Sequence, residues 1–339
     1  MLIPERYEKS RNVCFQTPAR QEVETGALNA VDFNSPLVSL SRLIDDYLLG
    51  WVVLAVLLGV FVPSLRVVTQ ASTPILVVMV ASTSLLLSVK DIRAVDRRIL
   101  AGVLLAHLAM PLLAFAIATF LGVSSALTAG FVLLGAVTPE LVSPTMTALA
   151  GGDVALSSVS LVAIGLLSVV YTPVSVTALI GSTVHVDVWR LVSELLVAVV
   201  LPMAIAILAR SRYERVVTRY DDYYTSVASV MVVLIIGGVA AANAARLRDV
   251  SVLLLTVAAG ALALNLLGYG LGWSAARLTD ATPGERLAGT FAVGMRDFAV
   301  AAALVVAAGF PAAAALPAVC FGVVEMATSA TLARLTRAR

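Results

Sequence analysis

Charge, histidine and cysteine are all scarce in this 339-residue chain, and each scarcity removes a class of function. Charged residues make up 13% of the sequence against 60% hydrophobic, with a mean hydropathy of +0.98. A soluble domain of this size has too little interior to hide that much apolar surface, so the composition implies an all-α polytopic membrane protein. The two cysteines, Cys14 in a polar stretch and Cys320 in an apolar run, form neither a disulfide framework nor a metal-ligand spacing. A metalloprotease lacks its His-Glu-x-x-His cluster, and Asp297 is the one aspartate inside a predicted helix, so an aspartyl intramembrane protease lacks its second aspartate. A serine enzyme using His107 lacks a recognisable nucleophile motif. The net charge of +2, with basic residues spread over short loops, argues against nucleic acid as a partner.

What the chain has is apolar length. Runs of about 20 mostly apolar residues, the length that spans a bilayer, fall at roughly 46–64, 72–89, 97–121, 127–150 and 153–180. Five more fall at roughly 188–209, 223–244, 250–275, 286–308 and 312–334. Residues 1–44 mix charges, Pro and Gly and lack the apolar core of a signal peptide, which predicts a cytosolic polar tail. With that end inside, the inner loops and C-terminus hold thirteen basic residues: Lys90, Arg93, Arg97, Arg98, Arg210, Arg212, Arg215, Arg219, Arg277, Arg286, Arg334, Arg337 and Arg339. The outer loops hold four, Arg66, Arg190, Arg246 and Arg248, a bias that places both termini in the cytosol. Five segments per half is an odd number, so the halves 45–181 and 182–335, followed by a short C-terminus at 336–339, are expected to be inverted repeats, as in many secondary transporters.

Two of the runs are interrupted. Gly294-Met295-Arg296-Asp297-Phe298 puts adjacent opposite charges into the ninth segment, and an ion at the hydrocarbon centre costs roughly 2.5–3.5 kcal/mol, so the pair must face protein or water. In the fourth segment Pro139 and Pro144 each lack an N–H, which opens the helix around Thr138-Pro139-Glu140 and frees backbone groups at membrane depth. Pro139 to Gly151 and Asp297 to Gly309 are both twelve residues, a second trace of the repeat.

These features resemble the bile acid:sodium symporter family over nearly all of the chain beyond the tail. Gly135 to Pro173, with MTALAGGDVALS at Met146 to Ser157, looks like that family's fourth and fifth helices, Asn265-Leu266-Leu267-Gly268-Tyr269 resembles its eighth-helix motif, and Gly294-Met295 sits where the family has a Gly-Met-Gln-Asn run. The resemblance implies ten transmembrane helices, a panel domain of helices 1, 2, 6 and 7, and a core domain in which helices 4 and 9 are broken and cross at the sodium and anion site. By the same resemblance a sodium-binding glutamate falls on Ala292, the glutamine and asparagine fall on Arg296 and Asp297, and a serine–asparagine pair falls on Ser143 and Pro144. Of two fifth-helix hydroxyls one is kept at Ser157 and the other is Leu161. Several oxygen ligands are thereby lost together.

The expectation is therefore a secondary transporter of a small organic anion in the cell membrane, working by alternating access and proton-coupled or uncoupled rather than sodium-coupled. The Arg296 guanidinium, which is always charged, would stand in for sodium, neutralised by Asp297, Glu140 or Glu325, with Glu140 the expected direct partner. Glu140, Asp297 and Glu325 are carboxyls able to carry a proton; His107, just before Pro111, suits a proton relay or else bonds a backbone carbonyl. Ser143, Thr145, Ser157 and Met295 flank the interruptions and complete the expected substrate or coupling site, with no metal ligand and no enzymatic cofactor. Ser82, Thr83, Ser84 and Thr147 read as packing residues, their hydroxyls bonding their own helix. Two alternatives stand beside this reading: an ordinary sodium-coupled organic anion symporter, and a non-transporting sensor or channel of the same fold in which Arg296 locks one state. For Arg296 and Asp297 the plainer reading is a static salt bridge that locks helix packing. The oligomeric state is not legible.

Overall fold

The computed structural model describes residues 48–87, 95–184, 187–248 and 252–337. The expected tail at 1–44, with Cys14, and the loop positions Lys90, Arg93 and Arg339 lie outside the described residues. Among the described residues the regular structure is helical throughout. In chain order the α-helices are α1 (Leu48–Phe61), α2 (Ser72–Ser84), α3 (Arg97–Leu108), α4 (Met110–Phe120), α5 (Ser125–Ala136), α6 (Ser143–Leu149), α7 (Val154–Ile180) and α8 (Val188–Leu195). They continue as α9 (Leu201–Arg212), α10 (Glu214–Val217), α11 (Asp221–Ala242), α12 (Ala244–Arg248), α13 (Val252–Leu278), α14 (Pro283–Gly294), α15 (Phe298–Ala307) and α16 (Leu316–Arg337). Eight continuous helical stretches in the described residues are long and apolar enough to cross a membrane; the apolar helices Leu49–Phe61 and Ser125–Ala136 are shorter. The protein is an integral, multi-pass membrane protein.

Proline decides where these helices bend. Residues 63–71, the end of the first expected segment and the loop after it, form a 3-10 helix that opens with Pro63 and runs directly into α2, lengthening that span at its start. A five-residue π-helix, Leu196–Val200, joins α8 to α9 just before Pro202, absorbing the hydrogen bond that this proline cannot donate. At the α3–α4 junction Pro111 leaves the His107 carbonyl without its helical partner, and the Tyr171 hydroxyl donates to it at 3.1 Å and to the Leu108 carbonyl at 3.3 Å.

The helices pack in two groups. α11 lies against α1, α2 and the 3-10 turn, with α9 also on α2, while α13 packs on α14, α16 and α3, and α5 on α4 and α7. Close approach in the second group depends on the absence of side chains. A Cβ on Gly272 would strike the Gly289 carbonyl, and one on Gly294 would strike the Tyr269 ring, so α13 and α14 meet almost backbone to backbone.

Candidate functional site

Both interruptions survive folding, and they touch. α5 ends at Ala136 and α6 starts at Ser143; α14 ends at Gly294 and α15 starts at Phe298. The Asp297 N–H donates to the Thr138 carbonyl at 3.0 Å, joining one gap to the other. Each gap is followed by a helix that closes on a left-handed glycine, Gly151 (φ 75°) after α6 and Gly309 (φ 76°) after α15, a conformation open to glycine because it has no Cβ.

Buried backbone groups require partners, and four carbonyls at the first gap find theirs in side chains or in the second gap. Pro139 cannot donate to the Gly135 carbonyl, so Arg296 Nη1 does, at 3.3 Å, and reaches the Val137 carbonyl at the same distance. The Thr172 hydroxyl donates to the Ala136 carbonyl at 2.7 Å, and Thr138 is served by Asp297 as above. In the second gap the Asn265 amide donates to the Gly294 carbonyl at 3.1 Å, and the Arg296 N–H donates to Glu325 Oε1, also at 3.1 Å. Asp297 caps α15 by accepting the Val300 N–H at 2.8 Å.

Arg296 is fully buried, and its Nη1 stands 2.8 Å from each ring nitrogen of His107. The imidazole also lies against the Val137 and Ala292 carbonyls. His107 thus lies beside the charge and beside backbone oxygens. The expected Arg296–Glu140 pair is not formed: Arg296 makes no ion pair within 4.0 Å among the described residues, and the Glu140 carboxyl lies instead against the Phe298 N–H. The physical reason is the helix dipole. The cation turns to the C-terminal carbonyls of α5, and the carboxyl oxygen, an acceptor, to the N-terminal amides of α15. Asp297 likewise faces the N-terminus of α15 rather than the guanidinium of its neighbour.

The structure brings together His107, Glu140, Arg296, Asp297 and Glu325, none more than 3% exposed, with Glu140 within electrostatic reach of both other carboxyls. Of nine buried side-chain atoms without a partner among the described residues, six belong to this region: Glu140 Oε2, Ser143 Oγ, Arg296 Nε and Nη2, Asp297 Oδ2 and Glu325 Oε2. Buried Ser143 and Ser157 are linked through Thr147, whose hydroxyl donates to the Ser143 carbonyl at 2.8 Å and to Ser157 Oγ at 3.2 Å. Thr145 is exposed on α6 and takes no part, whereas Thr147, expected to be a packing residue, holds this corner. Helical spacing explains the exchange, since Ser143 and Thr147 are four apart and share a face. Met295 is buried in an apolar cluster with Tyr269 and Phe291.

Three residues outside the expected site belong to it. Tyr171 fills a carbonyl freed by Pro111, and Thr172 one left open where α5 ends; Asn265 bridges α14 to α16, its Oδ1 accepting the Thr328 hydroxyl at 2.7 Å. The prolines signal that carbonyls will be freed, but which hydroxyl arrives is a tertiary matter. Two apolar grooves, of about 330 and 550 Å³, flank α7 on its α9 and α8 sides; Val162, Met203 and Ile207 line the first, Val170, Pro173 and Val188 the second. Neither is lined by the charged cluster.

A family model described as the Sodium Bile acid symporter family matches residues 73–250. The chain belongs to this family. It is a transporter of the bile acid symporter type, not an enzyme. The chain is 27% identical over 277 residues to the uncharacterized sodium-dependent transporter YocS of Bacillus subtilis, covering 80% of this chain and 85% of that protein. It is 32% identical over 170 residues to the probable sodium/metabolite cotransporter BASS3, chloroplastic, of Oryza sativa subsp. japonica, covering 50% of this chain and 40% of that one. A third relative, the uncharacterized protein YbaS of Bacillus subtilis, is 26% identical over 215 residues, 63% of this chain and 70% of that protein. The aligned stretch is thus under half the length of the chloroplast relative. Within this symporter family the chain carries a guanidinium at the meeting point of its two helix breaks.

Proposed function

We propose that this family member moves a small organic anion across the cell membrane by alternating access, with Arg296 as a tethered cation in place of a bound sodium ion. The carrying observation is the Arg296 guanidinium seated on the carbonyls of Gly135 and Val137 at the end of α5. Carbonyl oxygens at a helix C-terminus attract a cation, and here the cation is covalently part of the protein and never dissociates. Coupling then falls to protons on the neighbouring carboxyls, or transport runs uncoupled. The reading includes ten helices in two inverted repeats, panel and core domains, and cytosolic termini. Supporting it are the paired breaks with their left-handed glycines, the two packing groups and the basic bias of the inner loops. The all but complete burial of the charged residues fits a closed state in which the surrounding helices must move to admit solute.

Sodium coupling is the second reading, favoured by the names of YocS and BASS3. Uptake of labelled mono- and dicarboxylates into proteoliposomes, with sodium replaced by choline, separates the two. Tethered-cation transport gives equal rates in both salts, and Arg296→Gln abolishes uptake without creating sodium dependence. A rate that rises with sodium in the unaltered protein, or retained uptake in Arg296→Gln, would sink the proposal.

A further inference from the structure

Summing the charges of the buried cluster leaves it two short of neutral. Arg296 contributes one permanent positive charge, while Glu140, Asp297 and Glu325 contribute three acidic groups, all within the same closed region. His107 on α3 adds no second cation: a guanidinium has only donors, so the imidazole nitrogen facing Nη1 at 2.8 Å must accept. The remaining titratable groups around the cluster, Tyr171 from α7 and Tyr269 from α13, are neutral phenols, and Asn265 and Thr328 are uncharged. Unpaired charge in a buried interior is strongly disfavoured, and such groups exchange it for a proton.

The three carboxyls are not equivalent. Asp297 is the N-cap of α15, with Oδ1 on the Val300 N–H, where the helix end favours an anion. Glu325 lies in the interior of α16, away from either end, and accepts only a main-chain N–H. Glu140 sits in the first gap against a single main-chain N–H, that of Phe298, with no basic side chain bonded to it among the described residues. One oxygen of each of the three carboxyls has no partner, Oε2 of the two glutamates and Oδ2 of Asp297. We infer that Glu140 and Glu325 each carry a proton in this closed state, leaving Asp297 and Arg296 as the balanced charges. Each proton forms an O–H bond on a carboxylate oxygen when that glutamate faces water and is returned to water on release. The two glutamates are then the ion carriers of the cycle, an assignment that rests on the proposed absence of sodium coupling.

Infrared spectroscopy of the full chain in lipid tests this without solute, in sodium-free choline buffer at pH 7. Protonated carboxyls show a carbonyl stretch separate from the amide and carboxylate bands. Glu140→Gln and Glu325→Gln should each remove one such band, and Asp297→Asn none. Should a variant fail to fold, labelling the glutamates of the unaltered protein with carbon-13 serves instead: both bands should shift, as aspartate bands would not. Absence of the bands, their loss in Asp297→Asn, failure to shift on labelling, or their disappearance on adding sodium would each overturn the assignment. Since no flux is measured, missing bands leave the tethered-cation reading to its own transport test, and sodium-dependent uptake alongside intact bands would defeat that reading alone.

Discussion

Replacing Thr172 with valine removes one hydroxyl from the wall of the first helix break and changes the side-chain shape very little. That hydroxyl donates to the Ala136 carbonyl at 2.7 Å, and both residues are fully buried, so no solvent can take its place. A buried acceptor left without a donor costs about 1–3 kcal/mol. Thr172→Ser is the matched control: it keeps the donor and loses one methyl group, worth about 0.8 kcal/mol of burial. Thermal or denaturant unfolding in detergent should therefore rank the unaltered protein above Thr172→Ser, with Thr172→Val lowest. The same ranking should appear in uptake if the open carbonyls shape the site. A valine variant as stable as the serine one, or more so, would refute the account in which side chains satisfy the carbonyls that the break exposes.

Two further outcomes follow from the same packing. Tyr171→Phe strips the donor from the His107 carbonyl that Pro111 leaves unbonded, so it should lower stability by about 1–3 kcal/mol and impair transport through the tilt of His107 against Arg296; unchanged melting would contradict this. Gly294→Ala places a Cβ in the Tyr269 ring, an overpacking cost of about 1–3 kcal/mol, which pairing with Tyr269→Ala should largely relieve in a melting experiment.

Much of this was legible before folding because a bilayer imposes its own grammar. Apolar runs long enough to span, basic residues on one side, and prolines or paired charges within a run each carry a direct physical penalty or preference in a membrane. Those rules located α7, α9, α11, α13 and α16 and identified Pro139 and Arg296-Asp297 as interruptions. They also brought His107, Glu140, Arg296, Asp297 and Glu325 forward as a set, and these residues do converge. The 3-10 turn at 63–71 and the π-helix at 196–200 were not legible, since each is an adjustment of hydrogen bonding around a proline rather than a pattern of hydrophobicity.

The primary structure by itself determined that the chain lives in a membrane, that two of its helices must break, and that a permanent cation stands at one break. Only the tertiary structure decided what that cation binds. Charge counting favours Arg296 with Glu140, but in the folded protein the ends of α5 and α15 present carbonyls and amides of opposite polarity, and each side chain turns to its own helix end. Polarity of that kind belongs to backbone groups, which every residue carries alike and no sequence letter records, so it enters only once the two breaks are brought face to face.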